Sequence, residues 1–212
     1  MHAGLALRYA LVAAASMSSA SAASATNPQQ LYVSTCAACH GPAALGNPAL
    51  GAPALAGQSA AYLERQIANF RAGLRGADAK DTYGTQMRAI AATLSDPAQV
   101  KAIAGWLAAQ KPPVVKPAAT ANLRNGNNLY QGKCGACHGG RAEGIPGMST
   151  PRLSSLDTAY LTRQFHDFQQ GIRGANPKDT YGRQMAMMSK TLPKDTDLPD
   201  LIAFIQAQGA AK

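Results

Sequence analysis

The sequence predicts an all-α chain made of two tandem domains of one kind. Three observations predict it. Cys-Ala-Ala-Cys-His at 36–40 returns as Cys-Gly-Ala-Cys-His at 134–138, and the offset of 98 residues holds without a gap from Leu31-Tyr32 and Leu129-Tyr130 to Gln86-Met87 and Gln184-Met185. Apolar residues step by three and four, the period of a helix with one buried face. No stretch alternates well enough to make a strand. Two copies are too few for a solenoid, so the repeat reads as duplicated domains.

Residues 1–25 read as a cleaved signal peptide. Arg8 supplies a cation, Tyr9 to Ala15 a short apolar run, and Ala20-Ser21-Ala22 or Ala23-Ser24-Ala25 a small-residue cleavage site. The run is too short and too rich in serine to span a bilayer well, so the mature protein is expected to be soluble and periplasmic. The N-terminal domain is expected at 26–110, a proline-rich extended linker at 111–121, and the C-terminal domain at 122–212.

Each domain reads as three helices joined by long loops. The first, about 27–38, ends in the cysteine motif. The second runs from Ser59 to Leu74, with Leu63, Ile67, Phe70 and Leu74 on one face and Ser59 as N-cap. Its twin carries Leu161, Phe165, Phe168 and Ile172, capped by Asp157 or Thr158. The third starts at Ser95-Asp96-Pro97, a capping residue followed by proline, with Val100, Ile103, Ala104 and Leu107 inward. In the second copy Pro199 must delay or bend the helix, whose inward face is Leu198, Leu201, Ile202 and Ile205. The loops Gly41 to Gly57 and Gly139 to Ser154 are long enough to imply a functional surface beneath them.

Cys-x-x-Cys-His is the attachment signature of a c-type haem. Cysteines three apart share a helix face, so Cys36 with Cys39, and Cys134 with Cys137, can both reach one haem edge while His40 or His138 turns to the iron. All four cysteines of the chain lie in these motifs. A zinc site would need a second pair close by, and a dithiol would leave the two histidines unexplained. Two covalent haems also account for a chain that is 46% hydrophobic yet only 6% aromatic: the cofactor supplies apolar bulk.

Met87 is the one methionine between residues 26 and 110, and the repeat pairs it with Met185. Histidine plus methionine is an electron-carrier ligand set, in which the thioether raises the reduction potential. The expected axial ligands are therefore His40 and Met87, and His138 and Met185. Filling both axial positions leaves no open iron for catalysis, and no catalytic residue is assigned. Met187 and Met188 suit core packing. His166 has no repeat counterpart and reads as an ordinary surface or satisfied histidine. Arg75 and Arg173, in matching Arg-Gly-Ala settings, suit either haem propionates or solvent; Tyr83 and Tyr181 read as loop packing.

On these residues the chain resembles the cytochrome c4 family. The resemblance rests on the two haem motifs, Pro-Ala-Leu-Ala-Gly-Gln at 53–58, Tyr-Leu-x-Arg-Gln at 62 and 160, and a methionine seven residues before Leu94 and Leu192. Leu153-Ser-Ser-Leu departs from the pattern. The resemblance implies two class I cytochrome c-like domains, each wrapping one covalently attached haem c, and electron transfer in a respiratory chain toward a terminal oxidase. Expected partners are redox proteins, namely a membrane-bound donor complex and the oxidase, with peripheral membrane association and a monomeric state. Two alternatives stay open: a dihaem electron-accepting subunit of a periplasmic dehydrogenase, such as a flavocytochrome sulfide dehydrogenase, and a dihaem enzyme. The formal charge of +9 favours acidic partners, but the cations are scattered and no nucleic-acid motif is present.

Overall fold

The computed structural model describes residue 1, residues 27–192 and residues 194–210. The signal-peptide reading, Met1 apart, therefore lies outside the described residues. In the N-terminal half the helices are α1 (Pro28–Thr35), α2 (Ala37–His40), α3 (Ala60–Arg71), α4 (Thr82–Thr93) and α5 (Pro97–Ala108). The second half repeats them as α6 (Leu123–Lys133), α7 (Gly135–His138), α8 (Thr158–Gln169), α9 (Thr180–Ser189) and α10 (Leu198–Ala210). Among the described residues there is no strand, only an isolated bridge between Asn47 and Ala52.

Capping explains where the helices start. Asn27, Ser59, Asp96 and Asn122 each accept a backbone N–H of the first turn of α1, α3, α5 and α6. Asp157, not Thr158, caps α8, accepting from Tyr160 N at 2.8 Å. Each such cap is worth about 1 kcal/mol. Pro199 has the effect its position requires: a 3-10 turn over Asp195–Asp197 precedes α10, which starts at Leu198 with the proline in its first turn.

Helices α4 and α9 are additional to the three expected in each domain. Asp81 caps α4 through Gly84 N at 2.7 Å, and Asp179 caps α9 through Gly182 N at 2.9 Å. Both expected axial methionines thus sit on helices rather than in loops. Gly76 and Gly174 explain the repeated Arg-Gly-Ala: each has positive φ, and a Cβ would strike the backbone of Gly84 or Gly182.

In each half a terminal helix crosses the last one. Tyr32 of α1 packs on Trp106 of α5 with ring centroids 5.1 Å apart, and Tyr130 of α6 on Phe204 of α10 at 5.6 Å. Both tyrosines are fully buried, among Leu63, Ile103 and Leu107 in one core and Leu198, Leu201, Ile202 and Ile205 in the other. The expected inward faces of α5 and α10 are buried as expected.

Candidate haem sites

Each half encloses one large apolar cavity, and the structure brings the expected residues into it. Cys36, Cys39, His40 and Met87 line a cavity of about 1680 Å³ in the N-terminal half, mouth included. Cys134, Cys137, His138 and Met185 line one of about 1410 Å³ in the other. The faces of α3 and α8 finish the walls, with Leu63, Ile67 and Phe70 opposite Leu161, Phe165 and Phe168.

Each motif histidine is held from the Nδ1 side of its ring. His40 Nδ1 donates to Pro53 O at 2.8 Å, and His138 Nδ1 to Pro151 O at 3.3 Å. This fixes the tautomer and leaves Nε2 for a metal, the usual outer-sphere arrangement. Burial lowers the pKa of both imidazoles, against the carbonyl contacts, which favours the neutral ligand form. Tyr32 and Tyr130 clamp the chain just after each histidine by donating to Gly41 O and to Gly139 O, the latter at 2.6 Å. Burial, with the neighbouring thiol second, pushes Cys36 up to about 11. Burial does the same to Cys134, with Lys133 opposing and Cys137 adding. Raised in this way, both thiols stay protonated at neutral pH, so neither is a poised nucleophile.

Arginines supply the polar end of each cavity. Arg75 and Arg163 line the N-terminal cavity, Arg65 and Arg173 the C-terminal one, so each cavity receives one arginine from each half of the chain. Buried N–H groups on all four lack a protein acceptor: Nε of Arg75, Arg163 and Arg173, and Nε and Nη1 of Arg65. Orphaned buried donors of this kind call for an anionic acceptor. Haem, with an apolar ring and two carboxylate arms, fits both the apolar walls and these donors. The solvated reading of Arg75 is excluded, since it is buried.

The two cavities share one wall. Tyr62, Gln66, Leu156, Tyr160 and Gln164 line both. Arg75 donates to Gln66 Oε1 at 2.7 Å, to Gln164 Oε1 at 2.8 Å and to Tyr160 OH at 3.1 Å. Arg173 repeats this, donating to Gln164 Oε1 and, at 3.1 Å, to Gln66 Oε1. Around this centre Arg65 stacks over Tyr181 at 4.0 Å and Arg163 over Tyr83 at 4.2 Å. The two tyrosines therefore sit in the first turns of α4 and α9, not in loops, and pack against arginines of the other half. Gln58, whose repeat position is Leu156, pins the junction on one side, donating to Arg152 O at 2.7 Å and accepting from Arg152 N at 3.0 Å.

Three further residues differ from expectation or complete it. Met187 and Met188 are exposed rather than packed in the core: Met187 faces away from the cavity, and Met188 lines it beside Met185 while remaining open to solvent. His166 lies away from both cavities, paired with Gln169 Oε1 at 3.0 Å. The junction network itself, Gln66, Gln164 and the four arginines, was signalled in the sequence only by its exact repetition.

The fold and these sites define a duplicated all-α protein with a c-type haem site in each half. The cytochrome c family profile matches residues 25–111 and 123–208, and a cytochrome c4 of Azotobacter vinelandii is 31% identical over 148 residues, covering 65% of this chain and 69% of that one. The chain belongs to the cytochrome c4 family and carries two haem c groups. It is also 33% identical over 164 residues to a thiosulfate dehydrogenase electron acceptor of Stutzerimonas stutzeri strain A1501, across 73% of this chain and 72% of the relative. The crystal structure of reduced recombinant cytochrome c4 from Pseudomonas stutzeri superposes with a TM-score of 0.68 at 26% identity, covering 86% of this chain and 97% of that one.

Proposed function

We propose that this chain is a periplasmic one-electron carrier of a respiratory chain, with His40 and Met87 as axial ligands in the N-terminal half and His138 and Met185 in the C-terminal half. Cys36, Cys39, Cys134 and Cys137 hold the two haems covalently. The observation that carries this reading is the shared wall of Tyr62, Gln66, Leu156, Tyr160 and Gln164, which sets the two sites back to back within one rigid polar network.

Bound haem supplies a one-electron iron couple; the chain's own residues do the rest. Pro53 and Pro151 orient the imidazoles, the thioethers of Met87 and Met185 favour the ferrous state, and the apolar walls keep water out. An iron held between buried His40 and Met87, or between His138 and Met185, would need little rearrangement on changing oxidation state, which suits relay over catalysis. Among the described residues no helix is long and apolar enough to cross a membrane, and carriage of electrons from a membrane-bound donor to a terminal oxidase agrees with a basic surface that attracts acidic partners. A second reading, acceptor for a thiosulfate-oxidising dehydrogenase, is favoured by the Stutzerimonas relative.

Mixing the purified oxidised protein with either donor separates the two readings. Rapid reduction by a quinol-oxidising membrane fraction supports the respiratory carrier. Reduction by thiosulfate dehydrogenase with thiosulfate, and not by the membrane fraction, supports the second. Binding of cyanide at ordinary rates by the oxidised protein contradicts both, since it requires an open iron.

A further inference from the structure

The two sides of the domain junction differ in a buried carboxyl group. On one side Asn69 of α3 donates from Nδ2 to Asp179 Oδ1, at 3.3 Å and fully buried. Asp179 is the N-cap of α9. The repeat puts Asp167 of α8 in the place of Asn69, and Asp81, the N-cap of α4, in the place of Asp179. Asp81 is 5% exposed and Asp167 9%. Asp81 accepts from Gly84 N at 2.7 Å, and Asp167 accepts from Gln164 Nε2 at 2.7 Å.

An amide has an N–H to give to a carboxylate; a second carboxylate has none. The bond that Asn69 makes to Asp179 can be matched between Asp167 and Asp81 only if the pair holds a proton. Burial first, and the Asp81 carboxylate second, raise the pKa of Asp167. The other groups acting on it are the guanidiniums of Arg163 on its own helix, Arg173 just beyond it and Arg75 of the N-terminal half, all of which oppose that rise. Asp81 lines the N-terminal cavity, whereas Asp179 lines the C-terminal one.

We propose that Asp81 and Asp167 form a proton-binding site linked to reduction of the N-terminal haem alone, with Asp167 making the site titratable. The inference rests on the dihaem reading above. When the N-terminal iron gains one electron from a redox partner (Fe³⁺ to Fe²⁺), the local charge falls by one. The carboxyl pair then takes up a proton from water (RCOO⁻ + H⁺ to RCOOH), with Asp167 donating it to Asp81. Oxidation returns the electron to the next partner and the proton to solvent. On the other side Asn69 stands where Asp167 does, so an amide N–H already fills the place of the shared proton. The junction thereby makes two similar haems unequal, and makes the inequality depend on pH.

The test is a spectroelectrochemical titration of the dihaem protein at a series of pH values, with D167N and N69D alongside. Asn69 shows that asparagine fits the D167N position, and an asparagine Oδ1 still accepts from Gln164. In the wild type, one of the two potentials falls as pH rises through the titration of the pair. At full coupling the redox equilibrium shifts tenfold per pH unit, about 59 mV for one electron. D167N flattens that dependence, and N69D gives the other haem a dependence of the same sign. A reduced-minus-oxidised infrared difference spectrum shows a protonated carboxyl band that D167N removes. Equal pH dependence in wild type and D167N, or a carboxyl band that survives in D167N, overturns the proposal. Haem content, measured as the pyridine adduct, keeps the two readings apart: one haem per chain contradicts the dihaem reading, whereas two haems with no D167N effect contradict the proton site alone.

Discussion

Gln66 and Gln164 face each other across the domain junction, and each amide oxygen accepts from the guanidinium of its own half and from that of the other. The pair is thus the centre of a local two-fold arrangement inside a single chain. It also separates the two cavities, so the contact that joins the domains is the medium between the redox sites.

Replacing Arg75 with leucine removes bonds to Gln66, Gln164 and Tyr160 at once. The expected loss is about 2–3 kcal/mol, typical of hydrogen bonds to a buried charged group. Arg75→Lys keeps the charge but not the planar fork, and should fall between wild type and R75L. Denaturant midpoints of the haem-loaded proteins check both values.

Much of this was legible in the sequence because it rests on strict repetition. The attachment motifs, the methionine pairing and the faces of α3, α5, α8 and α10 follow from spacing alone. Helices α4 and α9 escaped because their inner faces, with Met87, Ile90 and Ala91 in the first copy, are turned to a cavity that haem fills rather than to protein. The glycines at 84 and 182 further disguised helix starts that Asp81 and Asp179 cap. Arginines 75 and 173 could not be placed from composition, since an arginine buried between domains reads in sequence like one in solvent. Ile90 and its repeat partner Met188 read in sequence as core residues, yet both line their cavities while staying open to solvent.

Gly126 marks where α6 meets α10. A Cβ there would strike Asp200 O and Phe204, and the crossing has no room to relax because Tyr130 stacks on Phe204 one turn away. Gly126→Ala should destabilise the C-terminal domain by about 1–3 kcal/mol, the range for overpacking, while Gly132→Ala, with open space around it, should not. Thermal melts of the two variants give the comparison.

Asp200 ties the start of α6 to α10. Its carboxylate accepts from Asn125 Nδ2 at 2.9 Å and from Asn122 N at 2.8 Å, and these bonds, the side-chain one first, hold its pKa below the ordinary value. A carboxylate depressed by folding adds stability that is fully present above its unfolded pKa and lost as pH falls through the folded one. Stability of the wild type should therefore drop more steeply than that of Asp200→Asn as pH is lowered below about 4. Denaturant curves at stepped acid pH read the difference.

The central claim is two closed iron sites, each gripped by an imidazole and a thioether. The most direct measurement is the optical spectrum of the oxidised protein through a redox titration, with Met87→Ala and Met185→Ala beside the wild type. The expected result is two low-spin haems, a methionine-to-iron charge-transfer band from both, loss of half that band in each variant, and a lowered potential at the altered haem. A high-spin signal in the wild type, or a variant that leaves the whole band in place, would contradict it.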